Sequence, residues 1–133
     1  MRVVADSHAI LWYLNDSRRL SEKALRWLED AVHDGGVVIS AMTVPEVWMA
    51  VTRKRGPRAA SRSEYELLKA ALADPSIAVD VKYLTSWPDF EVAAERLRDP
   101  FDALIVATAL ELDLPLVSAD AAIRDCGLAT VIW

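Results

Sequence analysis

The sequence predicts an α/β fold built on a mainly parallel sheet, and three observations carry that expectation. Short apolar runs rich in Val, Ile and Leu recur along the 133 residues. Longer stretches with helical periodicity separate them, and alternation of this kind argues for strands joined by crossover helices. The stretch from Asp99 to Leu110 is apolar nearly all round after its first turn, which leaves no face for water and places it in the core.

Taken in order, Val3 to Ala5 reads as a buried strand with Asp6 at its carboxyl end. Ser7 to Leu14 reads as a helix, broken at Asn15 to Ser17. Ser21 is an N-cap for a second helix with Leu25, Leu28, Ala31 and Val32 on one face. After Gly35 and Gly36, Val37 to Ser40 forms the second strand. Thr43 and Glu46 have capping-box spacing and open a helix with Val44, Val47, Trp48 and Val51 in its stripe. Ser61 and Glu64 form a second such box, with Leu67, Leu68, Ala71 and Leu72 inward. Ile77, Val79 and Val81 alternate as a half-exposed third strand, and Phe90, Ala93, Ala94 and Leu97 mark the next helix. The apolar helix then runs to about Leu112. Leu114 to Val117 is the fourth strand, and a short helix and a terminal strand from Thr130 finish the chain.

Length and composition bound the function. A chain of 133 residues, 53% hydrophobic and 26% charged, with four Gly and six Pro, is expected to form one globular domain spanning residues 1–133. The single cysteine, Cys126, excludes an internal disulfide and a thiolate zinc site. The amino-terminal apolar run is broken at Asp6, unlike a secretory signal, and no apolar stretch reaches a membrane span. The expected location is cytoplasmic, with no membrane contact. A net charge of −5 disfavours a generic nucleic-acid coat protein, which is normally basic.

Four acids fall at the ends of elements. Asp6 follows the first strand, Glu46 begins the helix after the second, Asp102 lies on the first turn of the apolar helix, and Asp120 follows the fourth strand. Parallel sheets bind ligands outside the carboxyl ends of their strands, so all four can meet in one crevice. Each also has a local reading: Asp99 caps the apolar helix with Asp102 three residues on, Glu46 completes a capping box, and Asp120 caps the short helix. Asp6 is the hardest to explain as a cap. Four converging carboxylates repel one another unless a cation joins them. Oxygen-only ligands favour a hard ion, Mg²⁺ or Mn²⁺, and such ions activate water for in-line displacement at a phosphodiester.

Four segments carry a family likeness: Val3 to His8, Ile39 to Ala41 ahead of Glu46, Asp99 to Asp102 with Ala107 to Ala109, and Leu116 to Asp120. In order and spacing they resemble the PIN-domain ribonucleases, most closely the VapC-type toxins of prokaryotic toxin–antitoxin pairs, over essentially the whole chain. The resemblance implies a parallel five-stranded sheet of order 3-2-1-4-5 flanked by helices on both sides. It implies that Asp6, Glu46, Asp102 and Asp120 hold one or two Mg²⁺ or Mn²⁺ ions for cleavage of RNA, with Asp99 and Ser118 in support. It further implies a homodimer and a cognate antitoxin that inserts a segment to block the site. Two residues depart from close relatives: Arg98 stands where His is common, and Ala103 where Arg is common. Alternative functions are a PIN-fold RNA-processing nuclease without an antitoxin, and a PIN-like binding module without catalysis.

Arg53, Lys54 and Arg55, continued by Arg58 and Arg62, form the one concentrated basic run. It is read either as a substrate-binding patch for RNA phosphates or as a solvated helix end. His8 is expected to pack in the first helix. Trp27 and Trp87 are expected to be ordinary packing; Trp12, Tyr13 and Trp48 are read as lining an antitoxin groove, with core burial expected for at least one of them. With only two histidines and no credible Ser-His-Asp set, nucleophilic catalysis is not supported.

Overall fold

The computed structural model describes residues 1–53 and 60–133. In chain order its elements are β1 (Val3–Ala5), α1 (Ser7–Leu14), α2 (Glu22–His33), β2 (Val37–Ser40), α3 (Thr43–Arg53), α4 (Arg62–Ala73), β3 (Val79–Lys82), α5 (Trp87–Arg96), α6 (Pro100–Leu112), β4 (Leu116–Val117), α7 (Ala121–Asp125) and β5 (Val131–Ile132). The strands form one sheet of order β3-β2-β1-β4-β5, with every neighbouring pair parallel. This is the expected order.

Why the central strands β1 and β2 are almost wholly apolar, unlike the edge strand β3 with Asp80 and Lys82, follows from the two covers of the sheet. Successive side chains of a strand point to opposite faces. Val3 and Ala5 of β1, with Val37 and Ile39 of β2, join a core formed with α1, α2 and α4. Val4 and Val38 face the other way, into a core with α5, α6 and Leu116. Strands buried on both faces need apolar residues at every position. Ile10, Leu28 and Leu68 are fully buried in the first core, and burial of each side chain contributes about 1.5–3 kcal/mol.

α6 lies against β1 and β2. Buried residues cover most of its turns, from Asp102 to Ala109, so its periodicity carries no polar face. Both ends are defined. Asp99 accepts from the Phe101 amide at 2.8 Å and Pro100 occupies the first turn, where its missing N–H costs nothing. At the other end Asp113 adopts φ 52° and the Leu114 amide donates to the Ala109 carbonyl at 3.0 Å, a left-handed stop more often built from Gly. Thr108 fits inside the apolar helix because its hydroxyl donates to the Leu104 carbonyl at 2.7 Å.

Several local expectations are corrected. Thr43 does not cap α3: it lies within the helix, and its buried hydroxyl has no hydrogen-bond partner. The Glu46 amide donates to the Met42 carbonyl and the Met42 amide to the Ser40 hydroxyl, so the helix starts earlier than the box predicts. The Ser61–Glu64 box does form, but Leu67 is exposed and Tyr65 packs on the core instead. Ala94 faces solvent on α5. Ile77 precedes β3, in a turn where its amide donates to the Asp74 carbonyl. Leu114 belongs to the stop after α6, so β4 is shorter than expected. Trp87 is 62% exposed, since it sits at the start of α5 where no element covers it; Trp27 does pack on the first core.

Candidate active site

Every predicted acid sits at or near the start of a helix, three of them just after a strand and Asp102 after the turn from α5 to α6, and the chain's local chemistry puts it there. Asp6 ends β1 and caps α1, its Oδ1 accepting from the Ala9 amide at 2.8 Å. The acid that was hardest to explain as a cap is therefore one. Asp102 lies one turn into α6, 7% exposed. Asp120 caps α7, accepting from the Ala122 amide at 2.8 Å and the Ile123 amide at 3.3 Å. Glu46 lies on the first turn of α3, and with Thr43 not serving as a cap, the capping-box reading of Glu46 fails.

The side chains of Asp6, Glu46, Asp102 and Asp120 nonetheless line one small cavity, together with Ser7, His8 and Ile105. Capping and convergence are both present, because a carboxylate has four lone-pair sites and a cap occupies one or two of them. The Ser118 hydroxyl ties two of the acids together. It accepts from the Asp120 amide at 3.0 Å and hydrogen-bonds to the Asp6 side chain. Asp99 lies outside this cavity, at the start of α6, and its carboxylate fixes the turn that carries Asp102. Among the described residues, no three carboxylate, imidazole or thiol groups stand as a ready set of metal ligands.

Burial pushes the Asp6 carboxyl above its ordinary value of 3.8. The hydrogen bonds from Ser118 and the Ala9 amide, and the nearby His8, pull it back, while the Asp120 carboxylate adds to the rise. Desolvation disfavours the charged form of an acid, so this site holds negative charge at a cost that a cation would offset. The donor set fits a divalent ion of the hard type: oxygen atoms only, from four acids, with a buried Ser7 hydroxyl that has no partner at the same cavity.

A larger groove adjoins the acidic cavity and shares Ser7, His8 and Glu46 with it. One wall is α1, through Ser7, His8, Leu11 and Trp12. The other is α3, through Glu46, Val47, Ala50 and Arg53; each set follows the i, i+4 spacing of a single helix face. Arg19, Ala60, Glu64, Asp99 and Phe101 complete the lining among the described residues. His8 is thus half-buried between two cavities rather than simply packed in the helix, its ring 5.4 Å from that of Trp12. Of the basic run, Arg53 reaches the groove, and Arg62 lies over Trp48 at 5.6 Å from its ring centroid. Lys54, Arg55 and Arg58 lie outside the described residues. Tyr13 packs on the first core and Trp48 stands 39% exposed against Tyr65.

The family model for the PIN domain matches residues 3–127. This chain belongs to the PIN domain family. No curated protein matches the sequence, whereas solved structures do. VapBC2 from Rickettsia felis, bound to a DNA fragment from its promoter, is similar with a TM-score of 0.65 at 13% identity, over 98% of this chain and 97% of that one. A toxin–antitoxin complex from Klebsiella pneumoniae gives 0.62 at 20% identity, over 98% and 96%. FitAcB from Neisseria gonorrhoeae gives 0.59 at 18% identity, over 98% and 96%. The PIN fold thus extends across nearly the whole chain.

Sequence reasoning missed two contributors. Ser7 was legible only as the neighbour of Asp6, and nothing in the sequence marked its hydroxyl as unpartnered. Arg19 enters the groove from the connection between α1 and α2, and no periodicity reaches across that turn.

Proposed function

We propose that this PIN domain is a metal-dependent endoribonuclease acting as a toxin, held inactive by a cognate antitoxin. The observation that carries the reading is the shared lining of one cavity by Asp6, Glu46, Asp102 and Asp120 at the carboxyl ends of parallel strands. That is where parallel α/β sheets bind ligands. Their chemistry suits one or two Mg²⁺ or Mn²⁺ ions. The toxin role is supported by the kind of protein that shares the fold, since one of the similar structures is a toxin–antitoxin complex from Klebsiella pneumoniae. A homodimer of cytoplasmic one-domain chains accords with the same reading.

The residues divide the work. Asp6, Glu46, Asp102 and Asp120 would hold the ion, each fixed to a rigid helix start so that little order is lost on binding. When bound, the ion lowers the pKa of water and stabilises charge developing on the phosphodiester oxygens. Ser118 orients the Asp6 carboxylate through its side-chain hydrogen bond and holds the Asp120 backbone in place by accepting from the Asp120 amide. Asp99 holds the first turn of α6 and so the direction of Asp102. The Ser7 hydroxyl, buried at the same cavity, offers a donor or acceptor to water or phosphate.

The test is cleavage of a structured RNA by the purified chain. Cutting is expected with Mn²⁺ or Mg²⁺, to cease with EDTA, and to return when metal is restored. Expression in a host cell is expected to arrest growth, and the Asp102→Asn variant to leave growth unaffected. Metal-independent cutting would sink the mechanism. A nuclease without growth arrest would leave the enzyme and remove the toxin.

A further inference from the structure

We infer that the Ser7 hydroxyl is a further catalytic group, the donor that stabilises the phosphoryl oxygen of the bond being cut, with the first amides of α1 beside it. The inference rests on the nuclease reading above and extends it to a residue outside the acidic set. Its first support is the kind of group that lines the acidic cavity. Asp6, Glu46, Asp102 and Asp120 are acceptors only when ionised, and the Ile105 side chain has no polar atom. The side-chain donors left in that lining are the Ser7 hydroxyl and the His8 ring, neighbours at the start of α1. Carboxylates suit a cation and a water that sheds a proton. An oxygen on which negative charge grows needs a donor, and ionised acids have none to give.

The second support is a cost that the fold leaves in place. Ser7 is 5% exposed, and its hydroxyl has no hydrogen-bond partner. Leaving a buried donor unpaired is expensive, and in a native protein such a group calls for a reason. The backbone around it is in the same condition. Asp6 takes the Ala9 amide, and the first intrahelical bond runs from the Ile10 amide to the Asp6 carbonyl. The Ser7 and His8 amides therefore have no acceptor among the described residues. Orphan amides at a helix start carry partial positive charge. A buried hydroxyl and two amides on one turn, all without acceptors, suit one anionic oxygen.

The chemistry then divides between the two sides of the cavity. The water oxygen bonds to phosphorus as the bond from phosphorus to the leaving ribose oxygen breaks. One water proton ends on that ribose oxygen by way of solvent, and the phosphate keeps its negative charge. Ser7 keeps its own proton throughout. Its O–H contacts the phosphoryl oxygen and strengthens as charge grows there, as a fixed donor does in any oxyanion site. An interaction made mainly in the transition state acts on kcat more than on KM.

Ser7→Ala tests the assignment, with Thr43→Ala as its control. Thr43 also buries a hydroxyl that has no partner, yet it lines neither cavity. Thermal unfolding in EDTA and Mn²⁺ titration by calorimetry accompany steady-state cleavage of a labelled RNA. Both variants are expected to melt at or above the native temperature, since each loses an unpaired buried donor. Both are expected to bind Mn²⁺ as the native protein does. Ser7→Ala is expected to lower kcat roughly 10- to 100-fold while KM stays within about twofold. Thr43→Ala is expected to cut at the native rate. A Ser7→Ala variant that cuts at the native rate, binds Mn²⁺ more weakly or melts below the native protein overturns the inference. If native protein still cuts RNA in that case, the nuclease reading stands without the Ser7 donor. If native protein cuts no RNA with either metal, both fall.

Discussion

Asp102→Asn is expected to reduce Mn²⁺-dependent RNA cleavage by roughly 10²–10³-fold, the rate equivalent of losing several kcal/mol of charge stabilisation, while the protein remains folded. The reason lies in where Asp102 sits. It is nearly buried on the first turn of α6, and the helix start it occupies is already capped by Asp99. Asparagine preserves the shape and removes the charge, so a role confined to the helix would barely register. Initial rates with labelled RNA, alongside thermal unfolding in EDTA, separate the two. A variant that cuts at the native rate would remove Asp102 from the site, and one that unfolds would return it to structure. Asp99→Asn, which retains a capping side chain, is expected to keep most of the activity.

Asp6→Asn is expected to act in opposite directions with and without metal. Burial raises the Asp6 carboxyl above 3.8, so the folded protein holds this proton to higher pH than the unfolded chain does. The contribution to stability is then fully present below the unfolded value and falls as pH rises through the folded one. Above the unfolded value the metal-free native protein carries a burial cost that protonation relieves. Asparagine can still accept from the Ala9 amide as a cap and carries no charge, so in EDTA its melting temperature is expected to exceed the native one. The advantage is expected to vanish toward pH 3.8 and below. Saturating Mn²⁺ at about one hundred times its dissociation constant adds about 2.7 kcal/mol to the native protein, a rise of roughly 5–10 °C, and less than about 2 °C to the variant. Melting curves across pH with EDTA or Mn²⁺ read both effects. A variant that is less stable than native in EDTA at neutral pH would contradict the burial argument.

These two acids also show what the sequence could and could not convey. The core was readable because both faces of the central strands are covered: Val3 to Ala5 and Val37 to Ile39 carry no polar position, and the run from Ala103 to Ala107 in α6 is apolar as well. Asp99, Pro100 and Ser21 were readable because capping is a local matter of a few residues. Thr43 and Leu67 were misread for the opposite reason. The start of α3 depends on the Ser40 hydroxyl and the Met42 carbonyl, and the inward face of α4 depends on what it meets, neither of which a spacing rule contains.

The site lies between these cases. On the sequence alone, capping and metal binding are rival explanations for Asp6 and Asp120, yet in the structure both acids cap helices and also line the common cavity. Such dual use is invisible to a motif, which records a residue type and a position but not how many lone pairs are spent. The groove was less legible still. Trp12 and Arg53 carry binding readings in the sequence, whereas Arg19 comes from a turn with no periodic signal and lies over Trp12 only in the folded chain.

The central claim is that four acids at the carboxyl edge of the sheet bind a divalent ion. Anomalous diffraction from crystals soaked in Mn²⁺ addresses it most directly. The account predicts a peak within coordination distance of carboxylate oxygens from Asp6 and Asp102, with Glu46 or Asp120 completing the set, and no such peak in Asp102→Asn crystals. Peaks only at surface acids, or an unchanged peak in the variant, would contradict it.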